Sequence, residues 1–257
     1  MTGSQADTMG STALGPGFAA EVAGIDLKRA VASDFEWVWA ALAEHPLLVF
    51  RGQALTPAEL VEFGRGLGEP ERYDDPSPGY EDQPEIAVFS NDDARGIVPR
   101  PYWHTDGLGR ALPPELTIFH AVEVPARGGE TVFCDARALY DGLEPADQET
   151  LGQLVAELHG GPRHPLVKVH PRTGRRALYA NLGATTELIG VERDSAEGVF
   201  AELWALYDEA PAYHHRYRQG DVLVWDDYSV AHSASEAPPA GERRLLLRVD
   251  VRPTAPA

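Results

Sequence analysis

The chain has 257 residues, 43% of them hydrophobic, and its 22 Lys and Arg residues against 40 Asp and Glu residues give a formal net charge of −18. This composition is typical of a globular protein. The negative charge repels a phosphate backbone, so binding to nucleic acid or to an anionic membrane is not expected. The sequence favours a small-molecule partner, and it leaves a homo-oligomer open.

The sequence predicts one domain preceded by a short lead-in. Residues 1–17 are rich in Gly, Ser, Thr and Ala without periodicity, which favours disorder. No linker rich in Gly, Ser or Pro divides residues 18–257, so we expect a single domain there. The lead-in lacks the basic start and apolar core of a signal peptide, and no apolar run reaches the roughly 18 residues of a transmembrane helix. We therefore expect a cytoplasmic protein.

Helices and strands alternate in the N-terminal part. The pairs Ser33 with Glu36 and Thr56 with Glu59 have the spacing of a capping box, and each predicts the start of a helix. Between them, the apolar run Leu47–Phe50 predicts a buried strand.

From about residue 84 onward, short strand-like runs separated by Gly and Pro turns dominate the sequence. These runs are Glu85–Phe89, Leu116–Val124, Glu130–Phe133, Leu166–Val169, Ala177–Tyr179, Val222–Trp225 and Arg243–Val251. One helix, predicted from about Asp194 to Tyr207, interrupts them. So many short strands indicate a sandwich or a jelly-roll barrel.

The triplet His104-Thr105-Asp106 is the only His-x-acid triplet in the chain. Chance alone predicts roughly 1.4 such triplets here, so the triplet by itself is a weak signal. In an extended segment, however, residues i and i+2 point the same way, so His104 and Asp106 can face one cavity. A second histidine would complete a two-His-one-carboxylate site for Fe(II). Our candidate is His232, which follows a strand and a short turn; a purely structural histidine is the alternative.

The last predicted strand carries two arginines on one face. Its alternation puts Arg244, Leu246 and Arg248 on one side and only apolar residues on the other, so we expect both faces to be covered. Buried guanidinium groups need anionic partners. Acidic side chains of the protein and a dicarboxylate cosubstrate are equally compatible with this requirement.

Together, these features resemble the Fe(II)/2-oxoglutarate-dependent dioxygenases of the taurine dioxygenase (TauD/TfdA) superfamily. The resemblance covers nearly all of residues 18–252. The matching blocks include Leu48–Gln53, Trp103–Asp106, Gly128–Thr131, His164–Val167, Gly220–Asp226 and Arg243–Arg244. The resemblance implies a mainly β fold with surrounding helices, the cupin-like double-stranded β-helix or jelly roll.

The resemblance also implies the parts of the site. The implied iron ligands, which are also the catalytic residues, are His104, Asp106 and His232. Thr131 and Arg244 match positions that bind the carboxylate of 2-oxoglutarate, and Arg248 lies where family members often contact cosubstrate or substrate. Fe(II), 2-oxoglutarate and O2 are the implied cofactor and cosubstrates. The usual outcome is hydroxylation of a substrate C–H bond, with release of succinate and CO2.

The substrate is less well defined. Residues 73–80 and 99–102 match segments that contact substrate in sulfonate-using relatives, but they do not follow the sulfonate pattern. Arg100 and Tyr102, together with Arg248, predict a small anionic substrate such as an amino acid or a carboxylic acid, with a solvated loop charge as the alternative for Arg100.

Several outcomes share the same ligands. Related halogenases have a small residue at the position of Asp106, so the aspartate argues against halogenation. Desaturation, epoxidation and cyclisation stay open beside hydroxylation. A metal-binding jelly-roll protein without turnover is the alternative from a different functional class.

Overall fold

The computed structural model describes residues 9–74, 77, 80–91, 101–159 and 161–253. In these ranges the chain forms five α-helices: α1 (Ala32–Glu44), α2 (Pro57–Leu67), α3 (Ala136–Asp141), α4 (Pro145–Leu151) and α5 (Arg193–Asp208). The strands of the same ranges are β1 (Gly10–Leu14), β2 (Ala19–Ala23), β3 (Leu47–Phe50), β4 (Glu69–Pro70), β5 (Ala87–Ser90), β6 (Leu116–Glu123), β7 (Thr131–Asp135), β8 (Val155–Leu158), β9 (Arg163–Pro165), β10 (Val167–Val169), β11 (Arg176–Leu178), β12 (Thr185–Ile189), β13 (Ala212–His215), β14 (Val222–Asp226), β15 (Val230–Ala234) and β16 (Leu245–Arg252).

Local hydrogen bonds explain where the first two helices begin. At α2, Thr56 Oγ1 accepts from Glu59 N at 3.3 Å and the Glu59 carboxylate accepts from Thr56 N at 2.7 Å, which is the predicted capping box. α1 begins earlier than the Ser33 signal indicates. There, the carboxylate of Asp34 accepts from Val31 N at 2.8 Å and stabilises a first turn that starts at Ala32.

A large, mostly antiparallel sheet forms one wall of the fold. Its strand order is β1-β2-β3-β14-β6-β16-β4, with β5 also paired to β16 and with β2 and β3 running parallel. A second, three-stranded antiparallel sheet has the order β13-β7-β15. Phe133 of β7 and Trp225 of β14 meet between the sheets, with ring centroids 5.4 Å apart. Two sheets packed in this way confirm the predicted jelly roll, mainly β with helices around it.

The first strand corrects one prediction. Residues 1–17 were expected to be disordered, yet Gly10–Leu14 form β1, which pairs antiparallel with β2 from Gly10 opposite Ala23 to Leu14 opposite Ala19. The side chains of this strand are mostly exposed, so the sequence does not show the alternating apolar pattern of a half-buried strand. Its order comes from backbone hydrogen bonds to a neighbouring strand. Residues 1–8 of the predicted lead-in lie outside the described residues.

Hydrophobic clusters cover both faces of β16. Leu247 packs in a cluster with Val38 of α1 and Leu60 of α2. Its neighbour Leu246 packs on the other side, between the two sheets, in a cluster with Phe133. The strand is therefore buried on both faces, as its alternating pattern predicts. In the described part of the chain, none of the helices is long and apolar enough to span a bilayer.

Candidate metal centre

A short backbone pairing joins the segment around His104 to β15. His104 N donates to His232 O at 2.9 Å, and His232 N donates to His104 O at 2.9 Å. Residues that oppose each other in an antiparallel bridge point their side chains to the same side. Accordingly, the two imidazole rings lie together, with centroids 4.2 Å apart.

Asp106 completes a group of three buried side chains. His104, Asp106 and His232 each offer one ligand atom, and these atoms lie within 4.8 Å of one another. Asp106 Oδ2 is 3.4 Å from His232 Nε2. Among the described residues, this is the only group of three or more His, Cys, Asp or Glu side chains with such a spacing. The structure thus brings together the three residues that the sequence singled out.

The protonation states of the three side chains suit metal binding. His104 Nδ1 lies 2.8 Å from the carbonyl oxygen of Tyr102, to which it donates, so the lone pair is on Nε2. Burial lowers the pKa of His232 to about 3 against the opposing effect of the Asp106 charge, so the ring is neutral. Burial raises the pKa of Asp106, but the charge and hydrogen bond of Arg248 outweigh it, and the pKa falls to about 2.

The donor set fits a divalent transition metal. Asp106 Oδ2 is buried and has no hydrogen bond within the described residues. A buried carboxylate oxygen without a donor is costly, and a cation between it and a neutral imidazole nitrogen removes that cost. Two imidazoles and one carboxylate on one side of an ion are the ligands of non-haem Fe(II) sites, which leave the other positions open.

Arg244 immediately precedes β16 and is almost completely buried. Its Nε donates to Gly129 O at 2.7 Å and its Nη2 to Thr131 Oγ1 at 3.5 Å. Gly129 permits this approach, because a Cβ there would lie 2.8 Å from Arg244 Cδ. Nη1 is buried and has no hydrogen bond, and within the described ranges no carboxylate pairs with this guanidinium. Arg244 therefore carries a buried positive charge that an anionic ligand can neutralise.

Thr131 belongs to the same part of the site. Its hydroxyl shares a hydrogen bond of 2.8 Å with the hydroxyl of Tyr217, and the guanidinium of Arg244 lies 5.2 Å from the centre of the Tyr217 ring. On β7, Thr131 lies two residues from Phe133, which stands opposite His232 in the pairing with β15. Two residues along a strand span roughly 7 Å, so the backbone of Thr131 lies about that far from Phe133, the residue opposite His232.

Arg248 lies on the same face of β16 but has different partners. Its Nη1 donates to Asp106 Oδ1 at 2.8 Å, and its Nε donates to Asp250 Oδ1 at 2.5 Å. The carboxylates raise the pKa of Arg248 against the opposing effect of burial, which is the largest single influence. Arg248 is therefore already neutralised by the protein itself.

A cavity of about 350 Å³ opens beside His104 and Asp106. Its lining includes Tyr73, Phe89, Leu108, Arg110, Arg248 and Asp250. The volume is at the lower end of the ~300–1,000 Å³ that is typical of small-molecule sites. A second cavity, of about 290 Å³, is lined by Arg244 and Gly129.

The predicted substrate residues differ in whether they line the cavity. Arg248 lines the cavity, whereas the ring of Tyr102 packs edge-on against His104, 5.5 Å between centroids, and fills the space left by Gly183. Tyr102 is not among the residues that line this cavity. Arg100 lies outside the described residues.

Sequence reasoning missed two residues of the cavity wall, Asp250 and Arg110. Asp250 accepts from Tyr73 Oη at 3.0 Å, from Arg110 Nη1 at 3.2 Å and from Arg248. The alternation that put Arg244 and Arg248 on one face of the last strand also includes Asp250, so a signal for it was present. Arg110, four residues after Asp106, had no comparable signal, because its position depends on how the following loop turns.

Asn181 and Tyr217 were also missed. Asn181 forms a bridge with His104, lines the cavity, and has a buried Oδ1 without a hydrogen bond in the described part of the chain. Tyr217 contacts both Thr131 and Arg244. Tyr217 follows β13, whose partner β7 is far away in the sequence, and Asn181 is placed by its bridge to the distant His104, so no local pattern marks either residue.

Comparison with known proteins gives consistent results. The family described as "Taurine catabolism dioxygenase TauD, TfdA family" matches residues 10–249. Pentalenolactone F synthase of Streptomyces arenae is 30% identical over 255 residues, covering 83% of this chain and 85% of that protein. (S)-phenoxypropionate/alpha-ketoglutarate-dioxygenase of Delftia acidovorans is 30% identical over 272 residues, covering 88% and 89%.

A solved structure shares the fold over most of the chain. The crystal structure of a taurine dioxygenase from Burkholderia xenovorans superposes with a TM-score of 0.83 at 28% sequence identity. It covers 95% of this chain, and 90% of that chain is matched.

Proposed function

The chain belongs to the TauD, TfdA family of dioxygenases, and from this membership and the geometry of the site we propose that His104, Asp106 and His232 bind the Fe(II) of a 2-oxoglutarate-dependent dioxygenase. The observation that carries the proposal is the convergence of three buried ligand atoms, one of them a carboxylate oxygen without a hydrogen bond. With 2-oxoglutarate and O2, bound Fe(II) supplies the oxidation of a substrate C–H bond with release of succinate and CO2.

The protein's own residues hold and orient these groups. His104 and His232 provide neutral nitrogen donors, since a carbonyl fixes the tautomer of one and burial keeps the other unprotonated. Arg248 keeps Asp106 ionised and holds its Oδ1, which leaves Oδ2 for the metal. Burial of all three side chains excludes bulk water from the ligand atoms.

We assign the distal carboxylate of 2-oxoglutarate to Arg244, with Thr131 as a second contact. Support comes from the buried guanidinium without a carboxylate partner and from the Thr131 hydroxyl beside it. A planar guanidinium binds a carboxylate with charge-assisted hydrogen bonds, and such bonds are strongest where water is excluded.

For the substrate we propose a small anionic metabolite, hydroxylated at a C–H bond. Arginine side chains in the cavity wall support the anionic character. The names of relatives point the same way, since (S)-phenoxypropionate and 2,4-dichlorophenoxyacetate, the latter for a dioxygenase of Cupriavidus pinatubonensis, are carboxylates. The mass of the product distinguishes hydroxylation, which adds one oxygen atom, from desaturation or ring closure, which removes two hydrogen atoms.

The direct test is succinate formation by the purified protein in air. We expect succinate when Fe(II) and 2-oxoglutarate are both present, and none when iron, 2-oxoglutarate or O2 is left out. Asp106→Ala removes a proposed ligand and is expected to abolish the reaction. His214→Ala, which changes an exposed ring on β13, is the matched control and keeps it. Absence of succinate from the wild type, or full activity of Asp106→Ala, contradicts the proposal.

A further inference from the structure

A half-buried lysine on β10 is held between two tyrosine rings. Only two of the 22 basic residues of the chain are lysines, and Lys168 is one of them. Its Nζ lies 4.1 Å from the centre of the Tyr228 ring and 4.3 Å from the centre of the Tyr179 ring. Within the described ranges, no Asp or Glu forms an ion pair with this amine. The ammonium group therefore interacts at close range with two aromatic faces.

The surroundings of Lys168 are fixed and mostly apolar. Both tyrosines are buried, and their ring centroids lie 6.1 Å apart. Burial lowers the pKa of Lys168 to about 8, against the opposing effect of the Asp227 charge. The amine is thus charged at pH 7 and loses most of its charge by pH 9.

Tyr179 belongs to the segment that lies on one side of His104. Two residues after Tyr179, Asn181 forms a backbone bridge with His104. Next to this bridge, Thr105 N donates to Ala180 O at 3.2 Å. His104 belongs to none of the sixteen strands of the described ranges, so its position depends on such isolated bridges.

Tyr228 belongs to the segment on the other side. It lies in the turn between β14 and β15, four residues before His232. His232 in turn exchanges two backbone hydrogen bonds of 2.9 Å with His104. Lys168 therefore contacts both segments that flank His104, through one ring of each.

We propose that Lys168 is a positioning residue for the metal centre: its charge, shared between the two tyrosine rings, holds together the segments on either side of His104 and so sets the relative positions of the two imidazole ligands. This inference rests on the proposed function and concerns the same site. Lys168 is not one of the three candidate ligands and does not line the cavity. Contacts outside the ligand set orient the ligands and affect the affinity for the metal.

Removal of the charge is the first test. Lys168→Met keeps an unbranched stem and is expected to bind Mn(II) about 10-fold more weakly than the wild type, as measured by the EPR signal of free Mn(II). Lys168→Arg provides a cation that also packs on aromatic rings, so it should recover most of the loss. Lys28→Met changes the only other lysine, an exposed partner of Glu59, and as the matched control it should bind as the wild type does. Equal Mn(II) affinity of Lys168→Met and the wild type overturns the proposal.

The spectrum of the Co(II) protein shows whether the ligands move. The visible absorption of bound Co(II) depends on the geometry of its ligands, so Lys168→Met should have bands displaced from those of the wild type, and Lys168→Arg should not. A weaker affinity of Lys168→Met with an unchanged Co(II) spectrum would mean that Lys168 only stabilises the fold, and it would overturn the positioning role.

The pH dependence separates the charge of Lys168 from the packing of its stem. The titratable groups that face the amine are His164, Tyr179, Asp227 and Tyr228. Lys168→Arg keeps all of them, so the ratio of the two Mn(II) affinities reports the amine alone. Between pH 7 and pH 9, under anaerobic conditions, the wild type should weaken by up to about 10-fold relative to Lys168→Arg, because only the guanidinium stays charged. A constant ratio overturns the role of the charge.

The Tyr228 ring gives an independent route to the same contact. Tyr228→Leu removes one aromatic face and should weaken Mn(II) binding, whereas Tyr228→Phe keeps the face and should lose less. If the lysine and the ring act as one unit, the double variant Lys168→Met/Tyr228→Leu loses less than the sum of the two single losses. Additive losses would mean that the two side chains act separately, which contradicts the proposal.

The two proposals fail in different ways. If the wild type binds Mn(II) no better than Asp106→Ala does and forms no succinate from 2-oxoglutarate, the proposed function itself is wrong. If the wild type binds Mn(II) more tightly than Asp106→Ala and forms succinate, and Lys168→Met equals it in affinity and in Co(II) spectrum, only the role of Lys168 is wrong.

Discussion

Two arginines on the inner side of β16, one directly before the strand and one in its middle, have contrasting surroundings. Arg244 and Arg248 are four residues apart, roughly 13 Å along the strand, and both are buried. Arg248 has a carboxylate on each side, Asp106 and Asp250. Arg244 has a carbonyl, a hydroxyl and an aromatic ring around it, but no carboxylate among the described residues.

From this difference we propose that Arg244 provides a ligand-binding charge and Arg248 a structural charge. A buried arginine with two acidic partners is already satisfied, so it stabilises the fold and sets the charge of its neighbours. A buried arginine without an acidic partner lowers stability until an anion arrives. The pKa of Arg244 agrees with this, since burial lowers it from its ordinary value.

The largest expected effect concerns stability. Replacing Arg248 by Met keeps much of the aliphatic stem but leaves Asp106 and Asp250 without their shared partner, so the free energy of unfolding of the metal-free protein should fall by about 3–5 kcal/mol. Arg244→Met, which breaks no ion pair, should change it by less than about 1 kcal/mol. Urea unfolding measures both free energies of unfolding. Equal losses in the two variants would contradict the proposed difference between Arg248 and Arg244.

The second effect concerns 2-oxoglutarate. Arg244→Met should weaken its binding to the Mn(II) protein by about 1.5–3 kcal/mol, or roughly 10- to 150-fold, because a charge-assisted contact is lost. The neighbouring Arg243, half exposed and paired with Glu123, provides the control Arg243→Met, which should bind as the wild type does. Anaerobic calorimetry gives both affinities. An unaffected Arg244→Met would assign the carboxylate to another residue.

A third effect links Arg248 to the metal. The charge of Arg248 is the main influence that lowers the pKa of Asp106 against the effect of burial. In Arg248→Met that charge no longer opposes burial, so we expect the pKa of Asp106 to rise above its ordinary value and the midpoint of Mn(II) binding to move to higher pH. Titration of Mn(II) binding between pH 4 and 8 measures the shift. A midpoint that stays in place would mean that Arg248 does not control the charge of Asp106.

The smallest expected effect is a pH dependence of stability, to which buried histidines near both arginines contribute. His232 beside Arg248 and His215 behind Tyr217 are buried, and burial lowers the pKa of each below the ordinary value of 6.5. An unfolded chain protonates these rings first as the pH falls, so the metal-free protein should lose stability below about pH 6.5. Asp106, with a pKa of about 2, contributes nothing to this loss above pH 5. Urea unfolding at pH 7.5 and pH 5.5 tests the sign, and greater stability at pH 5.5 would contradict it.

The sequence predicted those features that depend on short spacings. The i, i+2 relation of His104 and Asp106, the alternation of Arg244, Leu246 and Arg248, and the capping box at Thr56 can all be read within a few residues. Each of these short patterns predicts one local arrangement of side chains, and the structure has that arrangement.

Features that depend on distant partners were not predictable. The pairing of Arg248 with Asp106 joins residues 142 positions apart, and no local pattern states which acid will lie there. The position of Arg110 depends on a turn at Gly107 that packs against Pro114. β1 is ordered by the edge of a neighbouring strand and not by its own side chains. In each case a tertiary contact determines the position, so neither secondary-structure propensity nor hydrophobic periodicity indicates it.

A crystal structure of the anaerobic complex with Mn(II) and 2-oxoglutarate tests the central claim most directly. The account predicts the metal at bonding distance from His104 Nε2, Asp106 Oδ2 and His232 Nε2, with the distal carboxylate of 2-oxoglutarate hydrogen-bonded to Arg244. A metal bound elsewhere, or a distal carboxylate that lies against Arg248 with Arg244 still lacking an anion, would contradict it.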